Sequence, residues 1–318
     1  MVEQNKDTHA DFEDGIAADE ELSIAAAFFD GLIDYAGLFP PADLPLDRVV
    51  NNYAAYLEGD DAWVLGRILI PVDRLDEFAA LAPLPKSSQA APWCVNTLVR
   101  PAGDQGLPDD LRTIAAFNEK HSHAENGWCV VDVVDLKAPD ASQIDSALNI
   151  MPDDLMPFFE LPVNTDIRGH VAALSGSVAA AKVRTGGVVP EAYPPPEAVA
   201  DFILACVRAD VPLKATAGLH HALPHRNKTV GADEFGLLNV FVGAVLTRAC
   251  RLDQEELIEV LTERSETAFK FEEDVLRWRE YEIGIQDIIH SRIEGAISFG
   301  SCEFKEPLEE LRHLGILD

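Results

Sequence analysis

The stretch AAAKVRTGG (179–187), a proline-rich turn, PEAVADFILACV (196–207) and VPLKATAGLHH (211–221) decides the fold. Pro196 opens a helix whose apolar positions, Val199, Phe202, Ile203, Cys206 and Val207, fall on one face, with the proline where a missing N–H costs nothing. Two short apolar runs flank that helix, so the unit reads strand, helix, strand, with the strands parallel and adjacent. Parallel strands are buried on both faces. Each run nevertheless carries one lysine, Lys182 or Lys214.

The same alternation extends in both directions. Runs at 32–38, 63–71, 93–101, 127–136 and 156–163 predict five earlier strands, each followed by a helical pattern, and 296–304 predicts an eighth. Eight such units over about 290 residues predict a (β/α)8 TIM barrel, an α/β fold. No glycine-rich fingerprint follows the first strand, which disfavours an open doubly wound sheet. Residues 1–20 read as an acidic, disordered arm, and 21–318 as one barrel domain. Residues 235–294 read as a long helical insertion between strands seven and eight, a lid or an oligomer interface; a homo-oligomer is expected.

The net charge is −30, with 55 acidic against 25 basic residues, of which nine are lysine. Such a surface repels nucleic acid and anionic membranes, so neither is expected as a partner. Acid spread along the whole chain suggests halophilic adaptation, since dissolved ions screen self-repulsion. Five scattered cysteines form no CxxC and fit reduced core thiols, and the acidic N-terminus lacks a signal-peptide pattern, so a cytoplasmic location is expected.

Active sites of such barrels lie at the C-terminal ends of the strands. Polar residues near those ends include Asp34, Arg67, Asn96, Asp132, Asp135, Glu160, Lys182, Arg184, Lys214, Thr216 and His220. Alternation puts Lys182 and Arg184 on one face of their strand, and likewise Lys214 and Thr216 on one face of theirs. If these faces point inward, burial and like charge lower a lysine pKa and yield a neutral amine nucleophile. The bland alternative is a set of buried ion pairs with the carboxylates. A competing reading takes His220, His221 and His225 with barrel carboxylates as a divalent-metal site for hydrolysis or isomerisation, although Pro224 opposes a helical His-x3-His. A non-catalytic barrel serving as an assembly scaffold is a third reading.

Five fragments then resemble the deoxyribose-phosphate aldolase family, class I aldolases on a (β/α)8 barrel. They are IDYAGLFP (33–40), VVDVVD (130–135), KVRTG (182–186), KATAGLH (214–220) and SFGSCE (298–303), in the family's strand order. The resemblance implies a Schiff-base lyase with Lys182 as nucleophile, Lys214 lowering its pKa, Asp132 in proton relay and Asp34 supporting the substrate. It also implies substrate contacts at Thr185, Gly218, Gly300 and Ser301, and no cofactor. Where the family cradles a phosphate, this chain has Ala217, Cys302 and Glu303. Arg184, with Arg67, instead suits an anionic group of a small carbonyl substrate, a carboxylate for instance. Thr216, Glu160 and His220 complete the expected substrate-binding set.

Overall fold

The apolar runs pair edge to edge into a barrel. A computed structural model describes residues 23–87 and 89–318; the acidic arm expected at 1–20 lies outside the described residues. Seven strands come in turn: β1 (Ile33–Tyr35), β2 (Leu65–Pro71), β3 (Trp93–Leu98), β4 (Cys129–Lys137), β5 (Met156–Glu160), β6 (Ala180–Arg184) and β7 (Leu213–Thr216). Five short antiparallel strands follow: β8 (His225–Asn227) with β9 (Ala232–Glu234), and the meander β10 (Phe269–Phe271), β11 (Val275–Trp278) and β12 (Tyr281–Gly284). Then β13 (Ala296–Ser301) inserts between β7 and β1 and closes the parallel barrel β1-β13-β7-β6-β5-β4-β3-β2.

The helices are α1 (Ile24–Phe29), α2 (Leu46–Leu57), α3 (Leu75–Leu81), α4 (Leu107–His121), α5 (Ala141–Leu148), α6 (Arg168–Leu174), α7 (Pro196–Ala209), α8 (Leu237–Cys250), α9 (Gln254–Thr262), α10 (Ile285–Ile293) and α11 (Lys305–His313). Their boundaries follow local chemistry. Asp140 caps α5 through Ser142 N–H, and Asp253 with Glu256 forms a capping box on α9. Outward-facing strand residues such as Ile68, Ile70, Val95, Val134, Val183, Ala215 and Phe299 join the helices in one apolar core. A smaller apolar layer of Val133, Phe158 and Ala180, with Met156 and Ile297 against it, plugs the interior. Above that layer, toward the C-terminal ends, the interior is charged.

The insertion differs from expectation. Residues 237–262 and 285–293 are helical, but 269–284 form the meander. Leu276, Trp278 and Ile283 alternate into the core, and the tight link from Trp278 to Tyr281 sets Arg279 at φ 52 without a glycine or asparagine. Nor is the insertion a lid. Its α8 and α9 pack on α7, its α10 on α1 and β13, and Phe271 of the meander stacks 5.4 Å from Phe29 of α1, so it lies against the barrel wall. Within the insertion α8 is enclosed, its residues 237–247 all buried, because β13 and α7 of the barrel lie against it together with α9, α10 and β12.

Candidate active site

Five ionisable side chains meet inside the upper barrel. Lys182 of β6 and Lys214 of β7 stand opposite each other in register, as do Glu160 of β5 and Lys182. Parallel pairing therefore aims all three inward at one level. Lys182 Nζ lies 2.9 Å from Asp135 Oδ2 and 3.2 Å from Glu160 Oε2. Lys214 Nζ lies 2.5 Å from Asp34 Oδ2 and 3.7 Å from Asp135 Oδ1, with the Phe158 ring centroid 5.2 Å away. Asp135 thus bridges the two lysines. Ser298 Oγ donates to Asp34 Oδ2 at 3.0 Å, Asn96 Nδ2 to Asp135 Oδ1 at 3.2 Å, and the Arg67 backbone N–H to Asp34 Oδ1 at 2.8 Å.

Lys182 is 4% exposed and Lys214 1%. Burial by itself pulls the Lys182 pKa down, but attraction to Asp135 and Glu160 outweighs it and holds the ammonium above its ordinary value. Burial likewise pushes Asp135 up, yet Lys182 and Lys214 bring it below the usual carboxylate range. The expectation of a resting neutral amine is corrected accordingly. Two lysines do crowd the site, but three carboxylates stand among them, so Lys214 does not act on Lys182 as an uncompensated like charge.

Asp132 is the second correction. It forms a two-pronged ion pair with Arg67, Nε to Oδ1 at 2.8 Å and Nη2 to Oδ2 at 2.6 Å, and neither residue touches a lysine. Asp132 precedes Asp135 by three residues, about 10 Å toward the N-terminal mouth. Both face inward because β4 carries one extra residue: Val131 pairs with Val95, but Val133 already pairs with Asn96. Asp135 takes the place expected of Asp132, and Arg67 stands away from the C-terminal mouth.

Around the mouth, Arg184 extends half-exposed, its Nε 3.5 Å from Glu160 Oε1 and its Nη1 donating to Gly186 O at 3.3 Å. Thr216 sits beside Gly300, where an added Cβ would come 3.2 Å from Thr216 Oγ1. Thr185 Oγ1 donates to Ala217 O at 2.7 Å and so ties the loops after β6 and β7 together. Ser301 is buried, and its Oγ accepts from Glu303 N–H at 3.2 Å. Ala217, Gly218 and Leu219 run consecutively at φ 63, 74 and 59, a left-handed turn that only the glycine adopts freely. His220 then packs its Nε2 3.4 Å from Cys302 Sγ; burial keeps that histidine below its ordinary pKa and pushes the thiol up to about 11.

The other two histidines pack ring against ring, centroids 3.8 Å apart, and each takes a different carboxylate. His221 Nδ1 is bonded to Glu310 of α11, and His225 Nε2 lies 3.4 Å from Glu234 of β9. Among the described residues no group of three or more His, Cys, Asp or Glu is arranged to hold a metal ion, so His220, His221 and His225 do not form the expected centre. No described helix is long and apolar enough to cross a membrane.

Comparison with known proteins returns no match among family models, curated proteins or solved structures. The site therefore rests on its own geometry. Sequence reasoning named Lys182, Lys214, Asp34 and Glu160, and expected Asp132 beside the lysines where the structure has Asp135. It noted Asn96 and Asp135 only as polar residues of their strands.

Proposed function

We propose that the chain is a class I, aldolase-like carbon–carbon lyase acting on a small anionic carbonyl compound, with Lys182 as the Schiff-base residue. One observation carries the reading. Lys182, the lysine paired with the more exposed carboxylate of the cluster, ends between two carboxylates, with a second lysine sharing one of them. A purely structural barrel interior is filled by branched apolar side chains. The motif-level resemblance to the deoxyribose-phosphate aldolases supports the same residue.

In this mechanism Lys182 first yields a proton to Glu160, the carboxylate of its pair nearer solvent. The free amine adds to the substrate carbonyl, and loss of water leaves a protonated imine. A carboxylate of the cluster takes the proton of the substrate β-hydroxyl, the carbon–carbon bond breaks, and its electron pair enters the iminium to give an enamine and a free aldehyde. Protonation of the enamine carbon and hydrolysis release the second product and restore the lysine. Lys214, between Asp34 and Asp135, favours the ionised form of Asp135 and passes protons between the two carboxylates. The exposed edge of Arg184 holds the anionic group. The −30 charge fits a salty cytoplasm, so the enzyme is assayed at high salt.

The test is borohydride trapping at high salt with a panel of small aldehydes and 2-keto acids, read by intact-mass and peptide mass spectrometry. A substrate-sized gain on Lys182, absent from Lys182→Ala, supports the proposal. A gain on Lys214 reverses the two lysines, and no adduct with any carbonyl rejects it.

A further inference from the structure

Asn96 carries an orphaned acceptor beside the proposed chemistry. The residue sits within β3, and its side chain is wholly buried. Its amide nitrogen donates to Asp135 Oδ1 at 3.2 Å. Charge fixes that orientation, because the flipped amide would set its oxygen against a carboxylate. The other end of the amide, Oδ1, then has no hydrogen-bond partner among the described residues. Its register neighbours are Leu69 and Val133, which bring no side-chain donor. A fully buried carbonyl without a donor is rare and costly in a folded protein. Retention of asparagine where leucine would pack points to a donor that arrives from outside the chain. Only the carboxyl group of Asp135 separates this amide from Lys182 Nζ.

We propose that Asn96 is a specificity-determining residue whose Oδ1 accepts a hydrogen bond from a hydroxyl on the carbon next to the substrate carbonyl. The substrate class is then an α-hydroxy aldehyde or ketone, not a plain one. This inference rests on the Schiff-base reading of Lys182. The donor chemistry is a hydroxyl, which either the substrate or an enclosed water could supply, and the probes below separate the two.

The probes are glycolaldehyde and propanal, which differ by a hydroxyl against a methyl of similar size. Both are trapped with borohydride on the full chain, in competition, and the ratio of adducts at Lys182 is normalised to that on free N-acetyl-lysine. Wild type is expected to favour glycolaldehyde by about tenfold, the worth of one net hydrogen bond. Asn96→Leu, similar in volume but without the acceptor, should bring the ratio to the free-amine value while still forming both adducts. Asn96→Ser, with a shorter acceptor, should lie between. If Asn96→Leu does not fold by circular dichroism, the several-fold drop expected for Asn96→Ser decides. A ratio in wild type equal to that of the free amine, or a ratio unchanged by both substitutions, overturns the inference and leaves an enclosed water as the donor. Absence of both adducts at Lys182 in wild type is the separate failure of the Schiff-base reading.

Discussion

Lys182 Nζ sits 2.9 Å from Asp135 Oδ2, with both side chains within a few per cent of complete burial. The contact joins the proposed nucleophile to a carboxylate that both positions the amine and favours its protonated form. Replacing Asp135 with asparagine should therefore act in two directions. Stability falls by roughly 3–5 kcal/mol, the range seen when one partner of a buried ion pair is removed. The Lys182 pKa falls too, so borohydride trapping at neutral pH becomes faster per folded molecule. Chemical denaturation and trapping rates on the same sample check both. Slower trapping would mean that Asp135 works as the proton acceptor for the amine and not as its clamp.

Arg67 and Asp132 offer the control. Their ion pair is two-pronged but about one-third exposed, so it should contribute only about 1 kcal/mol after solvent screening. Asp132→Asn is expected to lower the melting temperature by a few degrees and leave adduct formation at Lys182 unchanged. A loss of trapping comparable to that of Lys182→Ala would return Asp132 to the site.

The strands and their lysines were legible because an ionisable residue inside an apolar run is a local anomaly that needs no tertiary information. Lys182, Lys214, Asp34 and Glu160 all announce themselves in this way. Asp132 and Asp135 could not be told apart, because strict alternation puts them on opposite faces and the extra residue near Val131 that brings both inward is a property of pairing with β3. The charge state of Lys182 was equally hidden. It depends on Asp135 and Glu160 lying on both sides of one nitrogen, which only the closed barrel determines. The meander escaped because its turn uses Arg279 where a hairpin usually places asparagine or glycine.

Trp278 tests what that meander is for. It is 1% exposed, stacks 6.0 Å from Tyr281 and belongs to the layer that keeps water off α8. Trp278→Ala should cost about 3–5 kcal/mol, the usual range for emptying a buried aromatic site. Trapping at Lys182, measured below the unfolding transition, should not change. Reduced trapping in a variant of normal stability would reveal a coupling between the insertion and the site.

The pH dependence of stability follows from the buried groups, each with its own sign. Lys182, held above its ordinary value, stabilises the fold fully below about pH 10.4, and its contribution is lost as pH rises through the folded value. Asp135, held below the usual range, stabilises fully above about pH 3.9, with loss as pH falls through its depressed value. The two leave the neutral range flat. His220 and His225 do not, because burial holds both below the ordinary histidine value, so the unfolded chain binds their protons first. Stability should therefore begin to fall as pH drops through about 6.5, well before the carboxylates protonate. Urea midpoints at pH 7.5 and 5.5, at constant high salt, measure this early step. In the double variant His220→Gln, His225→Gln the difference between the two midpoints should shrink to less than half. An unchanged difference would assign the acid sensitivity to other groups, and the site at the end of β7 would then carry no part of it.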